Sequence, residues 1–451
     1  MFQKILIANR GEIAVRVIRA CREMGIKSVA IYSTADRDAL HTQLADEAIC
    51  IGEAPAANSY LNMEHILSAT IASGADAIHP GFGFLSENAK FAEMCEKCNV
   101  VFIGPSAEVI EKMGNKQEAR KTMMGAGVPV VPGTKEAVCS AKEGKRLADE
   151  LGYPVMIKAS SGGGGKGMRL SRSAEDFIAN FEIAQQESVK GFGDDTMYIE
   201  KYIESPRHIE FQILADKFGN VVSLGERDCS IQRRHQKLIE EAPSAALDDK
   251  LRKEMGAAAV KAAKAAKYVN AGTIEFLLDK NRKYYFMEMN TRIQVEHPVT
   301  EMVTGLDLVK EQIFIAAGEK LRFRQKDIHI SGHAIECRIN AENPEKNFMP
   351  NPGTIEYLHL PGGNGVRVDS AIYSGYTIPP YYDSMIAKII CYAKDRESAI
   401  SKMQSALGEL NIDGVITNLD YQYDIINHSV FRSGSFNTQF IQDYFEGDKI
   451  C

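Results

Sequence analysis

The sequence predicts a multidomain chain, opening with a doubly wound α/β unit and continuing into α+β regions. Three observations carry this reading. Short apolar runs alternate with helical patterns from Lys4 to Ile103. A glycine-rich stretch then lies between two extended segments. Farther on, two strand-like arms carry one glutamate each and flank a polar turn. A chain of 451 residues has room for roughly three domains. Its 45% hydrophobic and 25% charged residues suit a protein with real cores.

Lys4-Ile-Leu-Ile-Ala8 reads as a buried strand, Asn9-Arg-Gly-Glu12 as a turn, and the next stretch as a helix. Ile13, Val17, Ala20, Cys21 and Met24 recur at helical spacing on one face, with Arg16, Arg19 and Arg22 on the other side. Gly25 stands where a C-cap glycine belongs. Strands over 28–32, 75–79 and 100–103 continue the alternation. No G-x-G-x-x-G occurs, so a dinucleotide cofactor is not indicated. Residues 115–330 mix hairpins with helices. Within them Asp248 is placed to cap an Ala/Lys-rich helix over 250–268, read as scaffold. The segment 331–446 alternates strands with Gly and Pro turns and closes on a helix over 396–410. No repeat or low-complexity linker interrupts the chain, so closely packed domains are expected.

A net charge of −7 argues against nonspecific nucleic-acid binding. No basic segment followed by a long apolar core opens the chain, and no apolar run is long enough for a bilayer, so a cytoplasmic location is expected. The nine cysteines are scattered. Cys95 and Cys98 form a lone C-x-x-C with no second pair, which reads as reduced thiols.

The most informative stretch is Gly272-Thr-Ile-Glu-Phe-Leu-Leu-Asp-Lys-Asn-Arg-Lys-Tyr-Tyr-Phe-Met-Glu-Met-Asn290. Folded about the bond between Asn281 and Arg282, it pairs Glu275 with Glu288. Opposed like charges destabilise a sheet, so one carboxylate must take a proton or a cation must sit between them. Asn290, Arg292, Gln294 and Glu296 share parity with Glu288, and an extended chain points all five to one face. That face looks like a metal and anion site.

Tyr153-Pro-Val-Met-Ile-Lys-Ala-Ser160 reads as a strand, followed by Ser161-Gly-Gly-Gly-Gly-Lys-Gly-Met168 and a second extended segment. Consecutive glycines let backbone N–H groups cradle phosphate. Lys166 is followed by Gly167 rather than Ser or Thr, so this is not a Walker A loop. It reads as a mobile lid over a nucleotide, or else a flexible surface turn, with Lys158 able to reach phosphates. Arg227-Asp-Cys-Ser-Ile-Gln-Arg-Arg-His-Gln-Lys-Leu-Ile239 holds five basic side chains (Arg227, Arg233, Arg234, His235, Lys237) and breaks a strand-like stretch. Alone it reads as a solvated face; beside a metal site it looks anion-binding. His208, Glu210 and Gln212 alternate with apolar residues along another strand.

Together these residues resemble biotin carboxylase, the ATP-grasp subunit of bacterial-type acetyl-CoA carboxylase. The resemblance spans essentially the whole chain. It rests on Ile7-Ala-Asn-Arg-Gly-Glu-Ile13, His79-Pro-Gly-Phe-Gly-Phe-Leu-Ser-Glu-Asn88, Lys158-Ala-Ser-Ser-Gly-Gly-Gly-Gly-Lys-Gly167, Glu226-Arg-Asp-Cys-Ser-Ile-Gln-Arg-Arg-His-Gln-Lys237 and Glu288-Met-Asn-Thr-Arg-Ile-Gln-Val-Glu-His-Pro298. It implies a Rossmann-like N-terminal domain (1–114), an ATP-grasp domain (115–330) with a glycine-rich lid over about 131–203, and a biotin carboxylase C-terminal domain (331–446). It further implies that ATP phosphorylates bicarbonate to carboxyphosphate and that the carboxyl group passes to biotin on a carrier protein. By similarity, Glu275, Glu288 and Asn290 hold magnesium or manganese. Lys116, Lys158, Gly164, Gly165, His208 and His235 match nucleotide-binding positions, and Glu200, Lys201, Tyr202 and Ile203 match the adenine hinge. Lys237, Arg292, Gln294 and the Val295 backbone match the bicarbonate site. Glu296 matches the general base, and Arg338 the residue that stabilises the biotin enolate. Arg338 shares a polar strand face with Glu336, which reads as exposed.

Phe82 stands where the family pattern has Tyr. No Met-Lys-Met biotin attachment sequence occurs, so a separate biotin carboxyl carrier protein and carboxyltransferase subunits are expected, with a homodimer implied by the family. The same pattern fits the equivalent subunit of a two-chain pyruvate or propionyl-CoA carboxylase. Another ATP-grasp ligase is disfavoured by Arg338 and the Arg292–Glu296 segment, and a silent nucleotide-binding scaffold by the full set of acidic and basic residues.

Overall fold

Alternating apolar runs at the N-terminus form a five-stranded parallel sheet in a computed structural model that describes residues 1–134, 136–159 and 167–446. Its strands are β1 (Lys4–Ile7), β2 (Lys27–Ser33), β3 (Glu47–Gly52), β4 (Ala77–His79) and β5 (Val101–Phe102), in the order β3-β2-β1-β4-β5. This doubly wound order reverses between β1 and β4, where ligand crevices form at strand carboxyl ends. Asn9 ties the two loops there, its Nδ2 donating to the carbonyls of Pro80 (2.8 Å) and Phe82 (2.7 Å).

Helix α1 (Gly11–Glu23) packs its apolar face inward, and Gly25, at φ +68°, ends it in the left-handed region. Arg16, however, is buried, with Nη2 at 2.9 Å from Glu301 and 2.6 Å from Asp307. Arginine on the back of an amphipathic helix reads as solvated; here a later helix covers it and neutralises it.

Two compact units divide the chain. The first comprises Met1–Thr122, Arg207–Phe276 and the residues from Glu288 onward; the second comprises Met123–Pro206 and Leu277–Met287. In the second unit, β6 (Val155–Ala159) pairs antiparallel with β7 (Met168–Ser171) and with β8 (Met197–Lys201). Val155, Ile157, Phe177, Phe181, Met197 and Ile199 form its core. The two strands expected to flank the glycine run are present. Gly164, Gly165 and Lys166 themselves lie outside the described residues.

An eight-stranded sheet, most of it in the first unit, runs β13-β12-β9-β10-β11-β14 and on through the strands Met385–Ala393 and Val366–Ser370. Here β9 is Arg207–Ala215, β10 Val221–Arg233, β11 Gln236–Ala242, β12 Asn270–Leu278, β13 Tyr284–Asn290 and β14 His333–Asn340. The Asp249–Ala265 helix packs on this sheet through Leu251, Met255, Ala259 and Ala262, and the Asp248 side chain accepts from the Leu251 N–H at 2.8 Å. Removing that cap by Asp248→Ala is expected to lower unfolding free energy by about 1 kcal/mol, read as a downward Tm shift without loss of activity.

Two details of the glutamate hairpin differ from expectation. The turn is centred on Asn281: the Asp279 N–H donates to the Lys283 carbonyl (2.8 Å), and Arg282 sits at φ +62°. Asp279 Oδ1 accepts from the Asn281 and Lys283 N–H groups (2.8 and 2.9 Å), an Asx turn that draws the centre off the following bond. The strand also stops at Asn290. Glu296 N-caps the His297–Thr304 helix, so the five-residue parity does not continue along one strand.

Among the described residues, no helix is long and apolar enough to cross a membrane. Cys95, Cys98 and six other described cysteines are free thiols.

Candidate active site

Alternation along β9, β10 and β12 turns polar side chains to a common buried face. His208, Glu210 and Gln212 come from β9, Arg227 from β10, and Thr273 and Glu275 from β12; all are buried. β10 and β11 are joined by Arg234 and His235, at φ +49° and +65°, a two-residue turn suited to the strand twist. The turn leaves His235 exposed and starts β11 so that Lys237 enters the cluster.

Lys237 Nζ lies 2.6 Å from Glu210, 2.9 Å from Glu275 and 2.7 Å from Glu296. One ammonium thus joins three carboxylates. Arg227, fully buried, donates to Glu210 (2.5 Å), Gln212 (2.7 Å), Thr300 (3.0 Å) and Thr273 (3.0 Å). Arg227 and Lys237 are therefore not part of a solvated face, although Arg234 and His235 of the same segment are exposed. Burial disfavours the Lys237 cation, but Glu210, Glu275 and Glu296 together hold its pKa well above the usual lysine value. Burial likewise works against the Glu296 anion; Lys237, Arg338 and Arg227 outweigh it and keep that carboxyl well below the usual range.

Arg338 approaches from β14, its Nη2 at 2.9 Å from Glu296 and 2.5 Å from Glu240. Its side chain is only 16% exposed, and Glu336 is completely buried, so the polar strand face faces carboxylates rather than solvent. Asn290 Nδ2 and Gln294 Nε2 donate to Glu275 at 2.8 and 3.1 Å. Arg292 donates to Gln294 (2.9 Å) and Asn290 (3.3 Å) and is braced by Glu87 at 2.8 Å. The Val295 carbonyl accepts from buried Lys388 at 2.7 Å. A bend after Asn290 thus gathers the residues that strand parity would have aligned. Sequence reasoning does not single out Glu87, Glu240 or Lys388. Glu87 sits inside the His79–Asn88 motif, and the other two lie in strands with no local signal.

Glu275 and Glu288 oppose each other electrostatically, although a turn centred on Asn281 does not set the two directly across from one another. Burial and then the Glu275 charge push the Glu288 carboxyl up, with Lys116 partly countering. Burial also acts on Glu275, where Lys237 and His208, the latter at 3.0 Å, prevail and hold it down. A cation between the two glutamates would relieve this conflict. Carboxylate and amide oxygens from Glu275, Glu288 and Asn290 are hard donors that fit magnesium or manganese. Among the described residues, His208–Glu210–Glu275 and Glu210–Cys229–Glu296 also converge, with ligand atoms within 4.8 Å of one another. Lys237 already contacts two carboxylates in each group.

In the second unit, Lys158 Nζ pairs with Glu200 at 2.6 Å. Lys201 Nζ is spent on the carbonyls of Gly152 (2.8 Å) and Tyr153 (2.9 Å), and the Tyr202 N–H on that of Pro154 (3.0 Å). Tyr202 and Ile203 follow the end of β8. Phe82 is packed against the apolar core beside β1, and its carbonyl rather than its ring is engaged by Asn9.

Comparison with known proteins accords with this geometry. Residues 1–110 match the biotin carboxylase N-terminal domain, 115–324 the ATP-binding domain of carbamoyl-phosphate synthase L chain, and 336–443 the biotin carboxylase C-terminal domain. Biotin carboxylase 1 of Bacillus subtilis is 60% identical over 445 residues, covering 98% of this chain and 99% of that protein. A pyruvate carboxylase subunit of Methanothermobacter thermautotrophicus is 57% identical over 447 residues, covering 99% and 91%. The crystal structure of the biotin carboxylase domain dimer of Hydrogenobacter thermophilus 2-oxoglutarate carboxylase, in complex with MgADP, ADP and bicarbonate, superposes with a TM-score of 0.92 at 53% identity and 98% coverage of each chain. With all three domain types matched in order and relatives this similar over almost its full length, the chain belongs to the biotin carboxylase family of ATP-dependent ligases.

Proposed function

We propose that the chain carboxylates carrier-bound biotin with ATP and bicarbonate, as the first half-reaction of acetyl-CoA carboxylase in fatty-acid synthesis. The observation that carries the assignment of roles is Glu296, with Lys237 on one oxygen and Arg338 on the other. In this reading Lys237, Arg292, Gln294 and the Val295 backbone receive bicarbonate. Glu296 takes the bicarbonate proton, the freed oxygen attacks the γ-phosphorus, and the bond to ADP breaks with its electron pair leaving on ADP. A carboxylate as acidic as resting Glu296 is a poor base. Bicarbonate draws Lys237 toward its own charge, and releasing that cation raises the basicity of Glu296 as substrate arrives. Carboxyphosphate then yields CO2 and phosphate, the phosphate removes the biotin N1′ proton, Arg338 stabilises the resulting enolate, and N1′ adds to the CO2 carbon to give carboxybiotin.

Lys116, His208 and His235, with Lys158, Gly164, Gly165 and the Glu200–Ile203 segment, are assigned to the nucleotide. Magnesium or manganese held by Glu275, Glu288 and Asn290 would neutralise charge on the transferring phosphoryl group. A homodimer located in the cytoplasm, a biotin carboxyl carrier protein and carboxyltransferase subunits complete the proposal. We keep the domain limits 1–114, 115–330 and 331–446 as part of it. The similarity to a relative from pyruvate carboxylase supports a second reading, identical chemistry serving another acyl acceptor.

The test is ADP release from purified protein with magnesium, ATP and labelled bicarbonate, with and without free biotin. Strong biotin stimulation with label in carboxybiotin is expected; ADP release indifferent to biotin would overturn the assignment. Co-purification with a given transferase distinguishes the two acceptor readings. Because Glu87 braces Arg292, Glu87→Gln is expected to raise KM for bicarbonate by roughly tenfold, the scale of one charged hydrogen bond, and to leave KM for ATP unchanged.

A further inference from the structure

Glu240 of β11 lies directly opposite Glu336 of β14 across an antiparallel pair, and both side chains are completely buried. The Glu336 carboxylate has no hydrogen-bond partner among the described residues, whereas Glu240 meets the Arg338 guanidinium at 2.5 Å. Two buried carboxylates facing each other across neighbouring strands do not both ionise, because like charges repel and desolvation penalises each anion. Arg338 stands two residues along β14 from Glu336, on the same face, and opposite Lys388 of the Met385–Ala393 strand.

We propose that Glu240 and Glu336 share a single proton, resident on Glu336, and that the ionised Glu240 is a positioning residue for the Arg338 guanidinium. This rests on the carboxylation reading above. Arg338 is held between two carboxylates, Glu296 and Glu240. When Glu296 takes the bicarbonate proton it becomes neutral and loosens its hold. Glu240 does not take part in that transfer, so it keeps the guanidinium in place for the enolate that forms next.

The surrounding charges agree with this placement of the proton. Lys388 is the cation nearest in influence to Glu336, and it is already engaged by Glu12 at 3.0 Å and by the Val295 carbonyl. Asp369 and Arg367 of the Val366–Ser370 strand pair with each other, and Glu301 of the His297–Thr304 helix pairs with Arg367 and Arg16. His297 on that helix is buried and held neutral. Lys237 is committed to three other carboxylates. Burial drives Glu336 well above the usual carboxylate range, against the pull of Lys388. It brings Glu240 only to about 7, where Arg338 restrains it.

Infrared difference spectra of the full chain in D2O test the proton directly. Glu336→Gln is expected to remove a protonated-carboxyl C=O band that Glu240→Gln retains; any other pattern overturns the assignment. Kinetics test the positioning role. Glu240→Gln is expected to lower kcat for biotin-dependent ADP release by up to roughly a hundredfold, the cost of a misplaced catalytic group, while KM for ATP does not follow. A kcat like that of the unsubstituted chain, or equal changes in kcat and KM, would overturn it. Glu336→Gln cannot lose its proton, so the alkaline limb of its kcat profile is expected at higher pH; superimposable profiles would count against the pair. Absence of biotin-stimulated turnover in the unsubstituted chain would overturn the carboxylation reading instead, and the infrared result would still decide where the proton lies.

Discussion

Glu296→Gln is expected to cut bicarbonate-dependent ADP release by roughly 100- to 10,000-fold, the usual contribution of a positioned general base, with ATP binding retained. Gln is nearly isosteric and keeps a carbonyl oxygen for Lys237 or Arg338, so the fold should survive. The loss should be the same with and without biotin, because proton removal precedes biotin's entry. That separates Glu296 from Arg338, whose replacement should chiefly lower turnover with biotin. Steady-state ADP release and ATP titration by calorimetry check the pair of outcomes. A Glu296→Gln variant with ordinary turnover would remove the residue from the mechanism.

The second large effect is on stability. Lys237→Met is expected to destabilise the chain by roughly 3–5 kcal/mol, because it removes the ammonium that three buried carboxylates share and leaves Glu210 to Arg227, Glu296 to Arg338 and Glu275 to His208. The sign with pH follows from the shifts. With Lys237 present, Glu275 and Glu296 titrate below their unfolded value. Their contribution is therefore complete above about pH 4.3 and is lost as pH falls through the folded values. Without Lys237, the burial penalty on both carboxylates is less fully countered, so their folded pKa values rise and this contribution above about pH 4.3 shrinks. Urea denaturation at several pH values should thus show the largest gap between the two proteins near neutrality and a shrinking one toward pH 4. A gap that widens on acidification would contradict the account.

What the sequence disclosed depended on how local each signal was. Four strands of the N-terminal sheet were legible because buried parallel strands read as apolar runs, and Gly25 marked the helix end; β3, largely exposed at the sheet edge, gave no such run. Asp248 was legible because an N-cap needs only its own first turn. Arg16, on the far side of α1, and Arg227, in the basic segment, gave no local sign of full burial, because arginine is rarely fully buried unless paired. Their neutralising partners, Glu301 and Glu210, lie far off in sequence and meet them only through tertiary packing. The run from Glu288 to Glu296 had the right members and the wrong backbone. Pro298, near the start of the His297–Thr304 helix, is a helix-entry signal and argued against a strand continuing to that point. Glu240 and Lys388 carried no motif, and their importance comes from the strands that stand beside them.

The pairing of β11 with β14 also bears on how modular this enzyme is. The ATP-binding match ends at residue 324 and the C-terminal match begins at 336, which invites a cut or a chimeric joint between them. Yet Ile239, Glu240, Glu241 and Ala242 are in backbone register with Cys337, Glu336, Ile335 and Ala334 across that junction. A fragment ending there would expose β11 as a raw sheet edge carrying buried-type residues, a template for intermolecular pairing. It should therefore aggregate rather than persist as a free ATP-binding module. Exchange of C-terminal segments between relatives should succeed only where the donor strand matches β11 residue for residue.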